Sequence, residues 1–80
     1  MSTKIHFVNR NGQIYHSISG FPSYETALKY MMERLDTTDG GIPNGISIKA
    51  KIDQDELNNF IENGEGKLRY GGSIVLEDVN

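Results

Sequence analysis

The dipeptide Asn11-Gly12 lies between two stretches, 4–10 and 13–19, in which polar and apolar residues alternate. A type I′ turn needs positive φ at both central residues, and asparagine and glycine adopt that conformation at low cost. Alternating strands on both sides of such a dipeptide are the strongest short-range signal for a β-hairpin. The chain is therefore expected to begin with two antiparallel strands.

This turn also predicts which residues of the hairpin share a face. The pairs expected on the core face are Ile5–Ile18, Phe7–His16 and Asn9–Ile14. On the opposite face, Val8 pairs with Tyr15 and His6 pairs with Ser17. A slip of one residue would turn the whole apolar set towards water, so the hydrophobic pattern specifies the register.

Two amphipathic helices are predicted from apolar residues at helical spacing. The first begins after Ser23, a favourable N-cap, and its apolar stripe consists of Tyr24, Ala27, Leu28, Met31, Met32 and Leu35. The second begins with the capping-box pattern of Asp53 and Glu56. It ends at Asn63-Gly64, because glycine suits the left-handed conformation that follows many helices.

Two further strands complete the predicted fold. Residues 46–52 alternate and follow a loop over 37–45 that is rich in glycine. Residues 67–77 keep almost all their large apolar side chains on one face if they form a single strand bent at Gly71-Gly72. The alternative is a hairpin that turns on the two glycines. The single strand is favoured because a turn centred there would place Ile74 opposite Arg69.

These elements predict a single α+β domain over residues 1–80, in the order β-β-α-β-α-β. The architecture is one mainly antiparallel four-stranded sheet with two helices packed on one face. A content of 24% charged and 36% hydrophobic residues is typical of a folded domain. The sequence contains no cysteine and no apolar run of the length of a signal peptide or membrane span. We therefore expect a cytoplasmic protein without membrane contact.

The residue types used in catalysis and in metal or cofactor binding do not form a known pattern. His6 and His16 point to opposite faces of the predicted hairpin, and no acidic residue is expected beside His6, which argues against a catalytic triad. His16 is expected at the edge of the core. Asp53, Asp55 and Glu56 suit the first turn of a helix better than a cation site. The sequence thus predicts no enzyme activity, no metal and no cofactor.

Charge is segregated in the predicted fold, although the net charge is only −3. The strands carry six of the eight basic residues, all out of phase with the core: Lys4, Arg10, Lys49, Lys51, Lys67 and Arg69. The helices and loops carry nine of the eleven acidic residues. The pattern predicts a basic sheet face and an acidic helix face, and the ordinary solvation of a half-buried sheet accounts for it equally well.

These features favour a small non-catalytic protein-binding module that acts as an inhibitor or adaptor by docking onto a larger protein or nucleoprotein complex. Compact chains without catalytic residues are typical of virus-encoded inhibitors of host machinery, such as phage anti-CRISPR proteins. The candidate partner-binding residues are Val8, Tyr15, Lys49, Lys51 and Arg69 on the sheet, and Tyr30 and Glu33 on the helix side.

Two alternatives belong to other functional classes. The basic sheet face could bind single-stranded nucleic acid, with Tyr15 as a stacking platform in a cationic groove. An enzyme would require a homodimer that brings His6 or His16 to a second chain. The sequence does not decide whether the chain is a monomer or a homodimer.

Overall fold

The computed structural model describes residues 2–37, 50–69 and 71–79. In chain order the elements are β1 (Ser2–Val8), β2 (Ile14–Phe21), α1 (Tyr24–Met32), β3 (Leu35–Asp36), β4 (Ala50–Lys51), α2 (Gln54–Asn63), β5 (Glu65–Lys67) and β6 (Ser73–Val79). Four strands form an antiparallel sheet in the order β2-β1-β6-β5. The predicted α+β class, the four-stranded sheet with two helices and the β-β-α-β-α-β succession are confirmed.

The core lies between one face of this sheet and the two helices. Its buried side chains form one cluster of Ile5, Ala27, Met31, Leu35, Ile52, Phe60, Ile74 and Leu76. The two central strands, β1 and β6, bring Ile5 opposite Leu76. Met31 from α1 and Phe60 from α2 belong to the same buried cluster. Each fully buried aliphatic or aromatic side chain stabilises the fold by about 1.5–3 kcal/mol relative to exposure.

The β1–β2 turn differs from the predicted type I′ turn. Asn11 does not have positive φ, whereas Gly12 has a φ of 81°. Gly12 N–H donates to Asn9 O at 3.0 Å, and the Asn9 side-chain oxygen accepts the backbone N–H groups of Asn11 and Gln13. The loop therefore has three residues, 10–12, and the Asn9 side chain stabilises it in place of a second left-handed residue.

The longer loop shifts the start of the hairpin register by one residue. Val8 pairs with Ile14 rather than with Tyr15, and an irregularity between Phe7 and Val8 then restores the predicted pairing. Beyond it, Ile5 faces Ile18 and Phe7 faces His16, as predicted. The bulge moves Ile14 away from its predicted place opposite Asn9, and Ile14 is exposed. His16 keeps its predicted pairing with Phe7 but is exposed as well, so the predicted places of both residues on and beside the core are wrong.

The C-terminal part of the chain is a hairpin, so the single bent strand predicted over 67–77 is wrong. β5 pairs with β6, and Gly66 lies opposite Ile74. Gly71 and Gly72 both have positive φ, and the Leu68 N–H donates to Gly72 O at 3.0 Å to close the turn. The loop is longer than a turn on the two glycines alone, which is why Ile74 meets a glycine instead of Arg69.

The described part of the predicted third strand does not join the main sheet. Its described part, Ala50–Lys51, forms β4, which pairs in parallel with β3. The positions 46–49 lie outside the described residues. Ile52 makes an isolated antiparallel bridge to Leu68, which links this small sheet to the turn between β5 and β6.

The two helices begin in different ways. Thr26 N–H donates to Ser23 Oγ at 3.2 Å, so Ser23 is the N-cap of α1, as predicted. Asp53 makes no side-chain cap for α2 and instead pairs with Arg69. The predicted capping box is therefore wrong, because Glu56 accepts the backbone N–H of Lys67 on β5.

Gly66 is a sensitive point of the packing between α2 and β5. A Cβ at this position would lie 2.9 Å from Glu56 O and 3.0 Å from Phe60 Cβ. We expect Gly66→Ala to lower the free energy of unfolding by about 1–3 kcal/mol, because helix and strand would have to separate. Glu65→Ala, at the exposed neighbouring position, is the control and should change stability by less than about 0.5 kcal/mol. Urea denaturation of both variants measures the difference, and equal stabilities would contradict this account of the interface.

Candidate docking surface

β2 is an edge strand of unusual composition. It lies at one end of the sheet order, and no strand among the described residues pairs with its outer side. Its eight residues, IYHSISGF, include no lysine, arginine, acid or proline. Natural edge strands are commonly protected from pairing with other chains by charged residues or proline. The outer edge of β2 lacks both of these protections.

Exposed apolar and aromatic side chains lie at the turn end of this edge strand. Ile14 is 57% exposed and Tyr15 is 65% exposed. The ring of Phe7, on β1, lies 6.4 Å from the Tyr15 ring and 5.4 Å from the His16 ring, measured between centroids. We call Phe7, Ile14, Tyr15 and His16 the hairpin patch. Aromatic residues in such clusters often dominate the free energy of protein association.

Sequence reasoning found part of the hairpin patch. Tyr15 was predicted as a partner-binding residue, and it is exposed. Its predicted neighbour was Val8, but the bulge brings it to Phe7 instead. Ile14 was missed because the ideal two-residue turn placed it in the core. The sequence feature that could have indicated the three-residue loop is Asn9, because an asparagine side chain can stabilise a longer turn.

Two cations of the predicted basic sheet face, Lys51 and Arg69, belong to the small parallel sheet and its surroundings instead. Lys51 is only 9% exposed, and its Nζ lies 2.6 Å from Asp36 Oδ2. Arg69 Nε donates to Asp53 Oδ1 at 2.9 Å, and its Nη2 lies 3.4 Å from the carbonyl oxygens of Thr37 and Ile52. Both residues hold chain segments together, and Lys49 lies outside the described residues.

The helix-side candidates lie together at the end of α1. The Arg34 guanidinium lies 3.6 Å from the centre of the Tyr30 ring, and the Tyr30 ring packs 5.1 Å from that of Phe21. Glu33 is exposed and forms a 3.7 Å ion pair with Arg34. These contacts cover part of Tyr30, which is half-buried, so it offers less surface to a partner than the exposed Tyr15.

His6 has an acidic neighbour that the sequence reasoning did not predict. Its Nδ1 lies 2.7 Å from Ser17 Oγ and its Nε2 lies 3.1 Å from Glu77 Oε1. The expectation that no acid lies beside His6 is wrong, because it took no account of the pairing between β1 and β6. The three residues come from β2, β1 and β6, so their hydrogen bonds join three adjacent strands across the open face of the sheet.

Two structural findings and the comparisons bear on other classes of site. Among the described residues, no group of three or more His, Cys, Asp or Glu side chains is arranged to hold a metal ion. Within the same residues, no helix is long and apolar enough to cross a membrane. The chain matches no known protein family, no curated protein and no solved structure.

The contact between Lys51 and Asp36 gives a stability prediction. Lys51→Ala would leave the Asp36 carboxylate without its closest cation in a partly buried position, so we expect a loss of about 2–3 kcal/mol in the free energy of unfolding. Lys67→Ala removes the same charge from an exposed site and should have an effect below about 0.5 kcal/mol. Thermal or urea denaturation compares the two. A Lys51→Ala variant as stable as Lys67→Ala would contradict this structural role of the ion pair.

Proposed function

We propose that this chain is a non-catalytic protein-binding module, an inhibitor or adaptor, that docks onto a larger protein or nucleoprotein complex through β2 and the hairpin patch. The observation that carries the proposal is an edge strand without lysine, arginine or acidic residues, on which Ile14 and Tyr15 are exposed. An unpaired edge offers backbone hydrogen bonds, and the adjacent side chains add apolar contact area and selectivity.

The partner that fits this surface is an extended, largely uncharged segment that adds as a strand alongside β2. β2 contains no lysine, arginine or acidic residue, so an apolar strand can approach it without removing water from the charged groups of those residues. The bulge beside Tyr15 and a second irregularity between Ile18 and Phe21 limit regular pairing to the middle of the strand, and the hairpin patch marks one end of the interface. Backbone pairing supplies affinity, and the patch distinguishes one partner from another.

Affinity capture from a lysate, with and without nuclease, tests the proposal when it is combined with variants of each surface. Tyr15→Ala is expected to weaken the retained complex by about 30-fold, the loss of about 2 kcal/mol typical of an interface hot spot. Ile14→Lys should weaken it as well, because it places a charge on the uncharged edge. Circular dichroism establishes that each variant is folded.

Glu33→Lys is the matched control, since it alters the helix-side candidate and leaves β2 unchanged. Retention of the complex by Glu33→Lys and its loss in Ile14→Lys would support docking through β2, and the reverse result would assign docking to the helix side. Capture that disappears with nuclease would support single-stranded nucleic-acid binding instead.

Light scattering of the purified chain measures self-association. A dimer that Ile14→Lys abolishes would identify a second copy of the chain as the occupant of the β2 edge.

Amide hydrogen exchange in the purified complex gives an independent measurement. Strand addition is expected to slow exchange at outward-facing amides of β2, because they acquire hydrogen-bond acceptors. Unchanged exchange along β2 in a saturated complex would refute this mode of docking.

A further inference from the structure

The dipeptide Asn-Gly occurs three times in the sequence, at Asn11-Gly12, Asn44-Gly45 and Asn63-Gly64. Asparagine before glycine is especially prone to deamidation, because a following residue without a Cβ lets its backbone nitrogen approach the asparagine side chain. The pair Asn44-Gly45 lies outside the described residues. The other two pairs share the same covalent chemistry but have different surroundings, so the structure distinguishes them.

The reaction needs only the chain itself and water. The glycine backbone nitrogen attacks the side-chain carbonyl carbon of asparagine, and the new N–C bond closes a five-membered succinimide ring. The side-chain nitrogen leaves as ammonia and takes the proton that the backbone nitrogen gives up. Water then opens the ring at either carbonyl, which yields aspartate or isoaspartate. The first step requires the glycine N–H to leave its hydrogen-bond acceptor.

The surroundings of Asn63-Gly64 oppose this rearrangement. Asn63 is the last residue of α2, and its Nδ2 donates to Asn59 Oδ1 at 2.6 Å. Gly64 is buried, its N–H donates to Phe60 O at 2.8 Å, and its carbonyl oxygen accepts the Leu76 N–H at 2.7 Å. Attack by the Gly64 nitrogen would therefore disrupt both the end of the helix and its link to β6.

Asn11-Gly12 belongs to the three-residue loop between β1 and β2. Both residues are exposed, and a Cβ on Gly12 would have no described atom within 4 Å. The Gly12 N–H donates to Asn9 O at 3.0 Å, and this bond closes an exposed loop rather than the end of a packed helix. Hydrogen bonds in exposed turns open at a much lower free energy than those anchored in a core. Release of the Gly12 nitrogen therefore requires only a local rearrangement of the loop.

We propose that Asn11 is a site of spontaneous deamidation in the folded protein and that the fold protects Asn63. The product carries a carboxylate in the loop that leads into β2, and isoaspartate also lengthens the backbone there by one carbon. β2 itself has no lysine, arginine or acidic residue. Deamidation thus places a charge at the turn end of this edge strand, where charged residues commonly oppose pairing with other chains. The proposal does not depend on the docking function of β2.

Incubation of the full chain in mildly alkaline buffer, followed by tryptic digestion and mass spectrometry, tests the proposal. Cleavage after lysine and arginine places the three Asn-Gly pairs in separate peptides, 11–29, 35–49 and 52–67. In the folded chain we expect deamidation at Asn11 to be at least about tenfold faster than at Asn63, because only Asn63 requires the packed end of α2 to open. In urea that unfolds the chain, the two rates should become similar. Labelling by an isoaspartate-specific methyltransferase detects the isoaspartate product.

Asn11→Gln is the matched control, because glutamine keeps the amide group but would have to close a six-membered ring, which is slower. This variant should abolish the fast reaction and leave the rate at Asn63 unchanged. Equal rates at Asn11 and Asn63 in the folded chain, or an Asn11 that reacts only in urea, would overturn the proposal. Deamidation without isoaspartate would exclude the succinimide route. Tyr15→Ala should not change the rate at Asn11, so this test and that of the docking proposal can fail independently.

Discussion

The rest of the structure depends on the hydrogen bonding of β1 along both of its edges. One edge pairs with β2, the next strand in the chain, and the other pairs with β6, the last strand described. The pairing with β6 aligns Ile5 and Phe7 with Leu76 and Ile74, which brings apolar residues from opposite ends of the sequence to the face that the helices cover. It also brings Glu77 to His6 on the opposite face.

Local sequence signals predicted the local structure well. The alternation around Asn11-Gly12 gave the first hairpin and most of its register, and apolar spacing gave both helices. Strand order depends on contacts between distant residues, which a periodic pattern does not encode. For that reason the sequence did not predict that β6 pairs with β1. The contact between His6 and Glu77 depends on this pairing, so it was not predicted either. The two turns were mispredicted because loop length depends on side-chain hydrogen bonds and positive φ values, as at Asn9 and Gly72.

The distribution of cations illustrates how tertiary structure changes the meaning of a sequence pattern. Alternation alone placed Lys51 and Arg69 on an open basic face. In the structure each of them forms an ion pair, with Asp36 and Asp53 respectively, and these contacts hold the small parallel sheet and the start of α2 in place. The side chains exposed at the turn end of β2 are instead apolar and aromatic, Ile14 and Tyr15.

The place of β6 beside β1 also has a consequence for synthesis on the ribosome. β1 is made well before β6, so its second neighbour is completed only when residue 79 has been added. During elongation the emerging chain can form the β1–β2 hairpin, and a lone hairpin is at most marginally stable in water. The side of β1 that later pairs with β6 is then open to other nascent chains and to chaperones. Completion of the sheet is therefore expected to wait until β6 has left the ribosome, and its rate depends on the closure of the long loop between β1 and β6.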